Sequence, residues 1–245
     1  MWSAIIPFHS DFQRLHRTMD LLDEKRAQYN IREILLCHNG QRLERDIESR
    51  LIRDAVRKGA TYLHTDLKGI GAGYALGIRN ASQHYCLLSA SDLPFGFTDL
   101  DSFHRHQRTY GETPELAIGS KGRIDSVVER SFLKRRAASW AFWVLRVAFL
   151  GRQTPRDSQG TILIASALAR DLVRDCLCGD YFFSVELITL AQRRGVKVIE
   201  LPVQLARQNG VSSVSVVRDG WKLVCQLVHF SRRLRTLKPE VVRPG

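Results

Sequence analysis

The sequence lacks a run of apolar residues long enough to cross a bilayer, a paired-cysteine motif, internal repeats and low-complexity tracts. A spanning helix needs about 20 apolar residues. The strongest apolar stretch, Ala137 to Gly151, is only fifteen residues long and carries Arg146. The opening "MWSAIIPFHSDF" has no cationic start and only a short apolar run, so it reads as neither a secretory leader nor an anchor, and a cytosolic location is expected. The five cysteines are odd in number, three of them in apolar runs where a buried thiol is ordinary. Cys176 and Cys178 have no matching pair elsewhere, which argues against zinc and for a reducing compartment. Nor is there zinc-finger spacing, an aromatic RNA-binding strand motif or a recognition-helix pattern, so nucleic acid is not the expected partner.

What is present is an ordinary globular composition, 245 residues with 44% hydrophobic content, enough for one buried domain. It carries an unusual charge of +12. The charge is regional: Ser102 to Arg156 holds eleven Lys/Arg against four acids, and Arg207 to Gly245 eight against two. Regional basicity suits nucleic acid, an anionic membrane surface or phosphorylated substrates, and equally a solvated face.

Strand-like and helix-like segments alternate. "WSAIIP", "IREILLCHNG", "ATYLHT" and "HYCLLSA" read as strands, separated by helical periodicity from Asp11, from Leu43 to a stop at Gly59, and from the glycine-rich "KGIGAGYALGIRNA". Beyond residue 100 come strands at "PELAIGS", "GTILIA" and "KVIELPV". The helices there lie around "ERSFLKRRAASWAFWVLRVAFLG", "FFSVELITLAQRRG" and "DGWKLVCQLVHFSRRLRTL". Such an order implies an α/β fold on a parallel sheet.

"LLSASDLPFGF" (Leu87 to Phe97) ends an apolar strand on Asp92. An aspartate there is ordinarily a turn residue. At the C-terminal edge of an open α/β sheet it also lies where ligands bind and where a divalent metal can be held. "GIGAG" looks like a dinucleotide-binding loop, yet it precedes the fourth strand instead of following the first.

From Gly69 through Gly71, Gly77 and Ala81 to "YCLLSA" and Asp92-Leu93, the order of motifs resembles the family-2 glycosyltransferases of the GT-A fold. In these a glycine-rich helix start leads through a strand to an Asp-x-Asp metal motif. The dolichyl- or polyprenyl-phosphate hexose synthases are the most similar branch. "IIPFHSD", "LLCHNGQ", "AIGSKGR", "DSQGT", "YFFSVELITLAQRRGVKVIELPVQ" and "SSVSVVRDGWKL" resemble its further motifs, in order along nearly the whole chain.

The resemblance implies a Rossmann-like, mostly parallel sheet flanked by helices, with a basic C-terminal helix. Residues 1–100 would form the nucleotide-binding half and 101–245 the acceptor-binding half of a single domain. A UDP- or GDP-hexose donor would lie by Pro7, Phe8, Asp11, Asn39, Lys68, Gly69, Gly71, Ala90, Ser91 and Asp92. Asp-x-Asp falls on Ala90-Ser91-Asp92, so the first carboxylate is absent. Asp92 is expected to hold Mg²⁺ or Mn²⁺ with diphosphate oxygens and water. Weak metal dependence or a lost activity are the alternatives, since Pro94 and Ile70 also depart from the pattern.

The chemistry is hexosyl transfer with inversion, in which a cation or arginines take up charge on the departing diphosphate. Asp157 and Gln159 are expected at the reacting sugar, with Asp157 the base if the acceptor is a hydroxyl. A polyprenyl phosphate is already an anionic nucleophile and wants positive charge. Lys121, Arg123, Arg130, Arg135 and Arg207 are placed around it by the resemblance. Glu186 either contacts sugar hydroxyls or is pinned to a neighbouring arginine. Trp140, Phe142, Trp143 and Phe149 beside "KRRAAS" form either an interfacial helix, giving peripheral contact with the cytoplasmic face of a membrane, or a core helix. Two further readings keep the fold: transfer to a glycan or small-molecule hydroxyl, or binding of a nucleotide-sugar without catalysis. A basic nucleic-acid-binding protein is the remote one.

Overall fold

The computed structural model describes residues 1–127, 133–151, 153–205 and 216–236, with the side chains of 133–139 and 216–220 outside that description. β1 (Trp2–Phe8), α1 (Phe12–Tyr29), β2 (Ile31–Asn39), α2 (Arg45–Arg57), β3 (Thr61–Thr65), α3 (Ile70–Asn80) and β4 (Tyr85–Leu88) alternate as expected. Then follow α4 (Thr98–Tyr110), β5 (Leu116–Ser120), α5 (Leu133–Leu150), β6 (Ile162–Ala165), α6 (Ser166–Leu172), α7 (Phe183–Arg193), β7 (Val198–Pro202) and α8 (Val216–Thr236). α4 and α6 were not expected. α4 buries only Leu100 and Phe103 among its apolar residues, too few for a visible stripe, and α6 is seven residues long.

The seven strands form one sheet in the order β3-β2-β1-β4-β6-β5-β7. All pairings are parallel except those of β6, which runs antiparallel to both β4 and β5. Helices cover both faces, which is why the strands read as continuous apolar runs. Alternation along β1 divides the core: Ile5 joins Tyr74, Ile78, Ile164, Phe182 and Phe183 on one face, while Ala4 and Ile6 join Leu15, Met19, Leu36, Leu100 and Phe103 on the other. α3 lies unusually close to the sheet, since a Cβ at Gly77 would run into the Ile5 side chain and stand 3.0 Å from Cys37 Sγ. Among the described residues, no helix is long and apolar enough to cross a membrane.

Candidate functional site

Strand order reverses between β1 and β4, because β2 and β3 are added on one side of β1 and β4 on the other. In open α/β sheets the crevice beyond the carboxyl ends at such a switch point is where ligands bind. Here it lies between the loop after β1, residues 9–11, and the turn after β4, residues 89–92. Asp11 caps α1, its Oδ1 accepting from Arg14 N at 3.0 Å, and its Oδ2 lies 3.1 Å from Arg14 Nε. The same guanidinium lies 3.8 Å from Asp92 Oδ2. One helical turn further on, Thr18 Oγ1 donates to Ser91 O at 2.7 Å, so the first two turns of α1 pack on the Ala90–Asp92 turn. That turn closes through Leu93 N to Ala90 O at 3.1 Å and forces Leu93 to a φ of 42°, rare for a side-chain-bearing residue. The Leu93 side chain is buried, which holds the turn in place. Tyr74 lies fully buried within the field of Asp92; burial first, then that carboxylate, pushes its phenol well up.

At the ends of β1–β3 the aromatic and imidazole rings gather. His38 is buried, stacked on Phe8 at 5.2 Å and 5.2 Å from His64. Burial, then the neighbouring His64 and His9, holds its imidazole below the ordinary value. His9 Nδ1 pairs with Asn39 O at 2.9 Å and His64 Nε2 with Gly40 O at 2.9 Å, tying Asn39 into the edge. Lys68 Cγ stands 3.8 Å from where a Gly40 Cβ would be, so this lysine overlies the same edge.

The glycines that open α3 serve contact with the protein itself. A Cβ at Gly69, whose φ is 107°, would strike Gly179 O, and one at Gly71 would strike Phe183 and stand 2.7 Å from Asp180 O. Ala72 N donates to Gly179 O at 2.9 Å, so the 178–183 segment seats directly on the helix start. Asp180 is held there by Lys222 Nζ at 2.7 Å, Gln226 Nε2 at 2.8 Å and Phe182 N at 3.0 Å. Burial pushes its carboxyl up, but these hydrogen bonds outweigh that and hold it below the usual range. Glu186 is enclosed behind the segment: Oε2 accepts from Leu177 N and Cys178 N, both at 2.8 Å, and Oε1 faces Arg233 Nη1 at 3.9 Å. The surroundings of Glu186 match the expected carboxylate beside a neighbouring arginine.

Across the edge, the loops before β6 and after β5 form a second cluster. Asp157 is buried; Oδ2 accepts from Lys121 N at 3.1 Å and lies 3.6 Å from Lys121 Nζ, while Oδ1 accepts from Gln159 N at 2.9 Å. Gln159 Nε2 donates to Tyr181 O at 3.1 Å, which joins this cluster to the segment on α3. Glu200 accepts from Ser120 Oγ at 2.5 Å and Arg156 N at 3.0 Å. Buried Arg146 reaches in from α5, Nη2 donating to Arg156 O at 3.1 Å. Burial lowers its guanidinium to about 10 against the opposing pull of Asp157 and Glu200. Arg123 forks onto Asp125 at 2.7 and 2.9 Å and donates to Glu200 O at 3.0 Å, so its charge is committed within its loop.

The structure thus brings Pro7, Phe8, Asp11, Asn39, Lys68, Gly69, Gly71, Ala90, Ser91 and Asp92 to one end of the sheet, with Lys121, Asp157 and Gln159 on the same edge. Arg130 and Arg207 lie outside the described residues, as does the side chain of Arg135. Arg14, Arg146, Arg156 and Glu200 were missed as site residues. The signals were a basic residue in the first turn after a capping Asp and a carboxylate inside the apolar strand "VIELP".

No family model matches the sequence, and no curated protein matches it. Solved structures do match. Glucosyl-3-phosphoglycerate synthase from Mycobacterium tuberculosis, in complex with Mn²⁺, UDP-glucose and phosphoglyceric acid, superposes with a TM-score of 0.65 at 14% identity, covering 95% of this chain and 80% of that one. Mannosyl-3-phosphoglycerate synthase from Rubrobacter xylanophilus gives 0.63 at 13% identity, over 98% and 77%. The fold is that of the GT-A glycosyltransferases. The mycobacterial enzyme has also been solved with Mg²⁺ and UDP.

Among the described residues, no set of protein ligands for a resident divalent cation is gathered at this turn. Ala90 offers no ligand where the resemblance expects a carboxylate, Asp92 faces a guanidinium, and the described residues contain no gathering of three His, Cys, Asp or Glu that could hold a metal.

Proposed function

We propose that the chain transfers a hexose from a nucleotide-sugar to a phosphate-bearing acceptor. One observation carries this: the switch-point crevice, with Asp92 on one side and the Lys121–Asp157 cluster on the other, lies along a single sheet edge in a GT-A fold. The nucleotide is assigned to the β1–β3 end, beside Phe8, Asn39 and Lys68, and its diphosphate to the Asp92 turn. The sugar then falls toward Asp157 and Gln159. In an inverting transfer an acceptor oxygen attacks the anomeric carbon opposite the departing diphosphate, which leaves with the bonding electrons. A phosphate oxygen is already anionic, so the acceptor side needs cations more than a base. Lys121 and Arg156 are assigned to the acceptor phosphate, with Arg130, Arg135 and Arg207 as expected further contributors. Arg123 anchors the loop that presents Lys121.

Two phosphate sources share this chemistry. The similar structures were solved with phosphoglyceric acid or as phosphoglycerate synthases. A polyprenyl phosphate, held peripherally at a membrane surface, is supported by Trp140, Val144 and Phe149, which stand exposed on α5, whereas Trp143 turns inward and donates to Thr154 O at 3.3 Å. The test is radiolabelled transfer from UDP- and GDP-hexoses to a short polyprenyl phosphate, to 3-phosphoglycerate and to unphosphorylated alcohols, with sedimentation on anionic liposomes at rising salt. Transfer confined to phosphate-bearing acceptors is expected. Salt-sensitive liposome binding selects the lipid, because exposed charges are screened beyond about 8 Å at physiological ionic strength. Transfer only to alcohols, or none with any nucleotide-sugar, overturns the reading.

A further inference from the structure

We infer that Arg14 receives the donor diphosphate directly, in place of a bridging metal ion, so that this chain binds its nucleotide without a divalent cation. The inference rests on the transferase reading above and adds to it the counter-charge of the leaving group.

Three observations meet at this residue. First, the metal motif lacks a ligand at Ala90, while Asp92 is kept. Second, the Arg14 guanidinium lies between two carboxylates, 3.1 Å from Asp11 Oδ2 and 3.8 Å from Asp92 Oδ2. Arg14 thereby stands beside the β1–β4 crevice with about half of its side chain open to solvent, so that a ligand entering the crevice can reach it. Third, the helix that carries Arg14 is fixed against the Asp92 turn by the Thr18 hydroxyl, bonded to Ser91 O at 2.7 Å. The helix turn that carries Arg14 is therefore placed beside the crevice before any ligand arrives, and such placement of charge is what electrostatic stabilisation of a departing group requires.

A guanidinium matches phosphate oxygens with two parallel N–H donors, and a planar fork gives geometry that a lysine does not. The helix adds to it: Arg14 lies in the first turn of α1, where the macrodipole favours an anion. As the anomeric C–O bond breaks, its electron pair passes to the diphosphate oxygen. The negative charge gathering there faces Arg14, while the acceptor oxygen forms the new bond to the same carbon. Asp11 and Asp92 act as positioning residues that hold the guanidinium and withdraw from it only partly when the anion enters.

The test uses the intact chain, with UDP and GDP as probes, titrated calorimetrically in EDTA and again with Mn²⁺. The wild type is expected to bind one of them in EDTA with a Kd within about threefold of that with Mn²⁺. Arg14→Gln should weaken binding in EDTA at least about tenfold, the usual worth of a hydrogen bond to a charged group. Arg14→Lys should keep part of it. Combining Ala90→Asp with Arg14→Gln should restore binding in Mn²⁺ and not in EDTA. A wild type that binds only with Mn²⁺, or an Arg14→Gln protein that binds in EDTA as the wild type does, overturns the role of Arg14 and leaves the transferase reading standing. Absence of binding to either nucleotide under both conditions overturns both. Thermal melts of each variant show whether a loss comes from unfolding, and Arg14→Lys, with its charge and stem retained, is the variant that keeps the question open to measurement if Arg14→Gln does not fold.

Discussion

Replacing Glu186 by Gln tests whether this carboxylate holds the crevice edge together or touches a sugar. The side chain is 2% exposed and its charge is used three times: by Leu177 N, by Cys178 N and by Arg233. Gln keeps the shape and one carbonyl oxygen. Each amide bond to the charged oxygen falls from about 2 kcal/mol to about 1 kcal/mol when the acceptor becomes neutral. Arg233 then faces a neutral amide in a partly buried site, which costs on the order of another 1 kcal/mol, less than the 3–5 kcal/mol of a fully buried pair because this arginine keeps some solvent. The sum is about 3 kcal/mol. For a chain of this length each kcal/mol moves Tm by about 2–4 °C, so a drop of about 6–12 °C is expected by circular dichroism or calorimetry. At temperatures where the variant is folded, transfer should stay within about threefold of the wild type, since nothing places the carboxylate against substrate. A Tm unchanged within about 2 °C together with a large loss of transfer would refute the reasoning and return Glu186 to the sugar.

Gly77→Ala should destabilise by about 1–3 kcal/mol without touching the crevice, because the new methyl meets Ile5 and stands 3.0 Å from Cys37 Sγ; urea denaturation with unchanged UDP affinity is the check. Asp99 is fully buried, and burial raises its carboxyl from 3.8 to about 6. The folded state therefore binds its proton more tightly, so the contribution of this group to stability is fully present below pH 3.8 and is lost, by about 3 kcal/mol, as pH rises through about 6. Asp99→Asn should flatten that decline, so its stability relative to the wild type should be more favourable at pH 7.5 than at pH 4. Equal differences at the two pH values would show that Asp99 does not titrate there. Asp157→Asn should lower transfer by about a hundredfold while leaving the Kd for UDP or GDP unchanged, because the proposed reading sets Asp157 at the reacting sugar and away from the nucleotide. A parallel loss of nucleotide binding would move Asp157 to the donor side.

The strand and helix order of the first ninety residues was legible because β1, β2 and β4 are buried almost throughout and the helices between them carry apolar stripes, while β3, only partly buried, is marked by the turns on either side. α4 was not legible, because its buried side is made of Asp99 and Ser102 as well as Leu100 and Phe103, so no apolar stripe marks it. The direction of β6 was hidden for another reason. "ILIA" is equally apolar read either way, and antiparallel pairing to β4 and β5 is a property of its neighbours. At the site, the positions of Asp92, Asn39 and Asp157 could be read from strand ends and ordered motifs. The role of Gly69 and Gly71 could not: the signal of an open phosphate cradle and that of a seat for residues 178–183 are the same glycines, and only the packing distinguishes them. Arg14 was invisible because, among 37 Lys and Arg residues, nothing in sequence marks the one that folding sets beside Asp92.

The reversal at β6 also bears on how the chain is made. β4 is bonded on one side to β1 and on the other to β6, whose residues come some seventy-five positions later. When the first hundred residues have left the ribosome, β1–β4 can pair, yet β4 still presents an open row of amides and carbonyls beside apolar side chains. That edge stays uncovered until Ala165 has been synthesised, and an exposed apolar edge invites pairing with another chain. The piece that ends the exposure brings Asp157 and Gln159 on the turn just before it. A nascent chain that has protected its sheet has therefore also acquired the Asp157–Gln159 side of its crevice, whereas a fragment cut near residue 100 would be left with the β1–β4 end and an adhesive border.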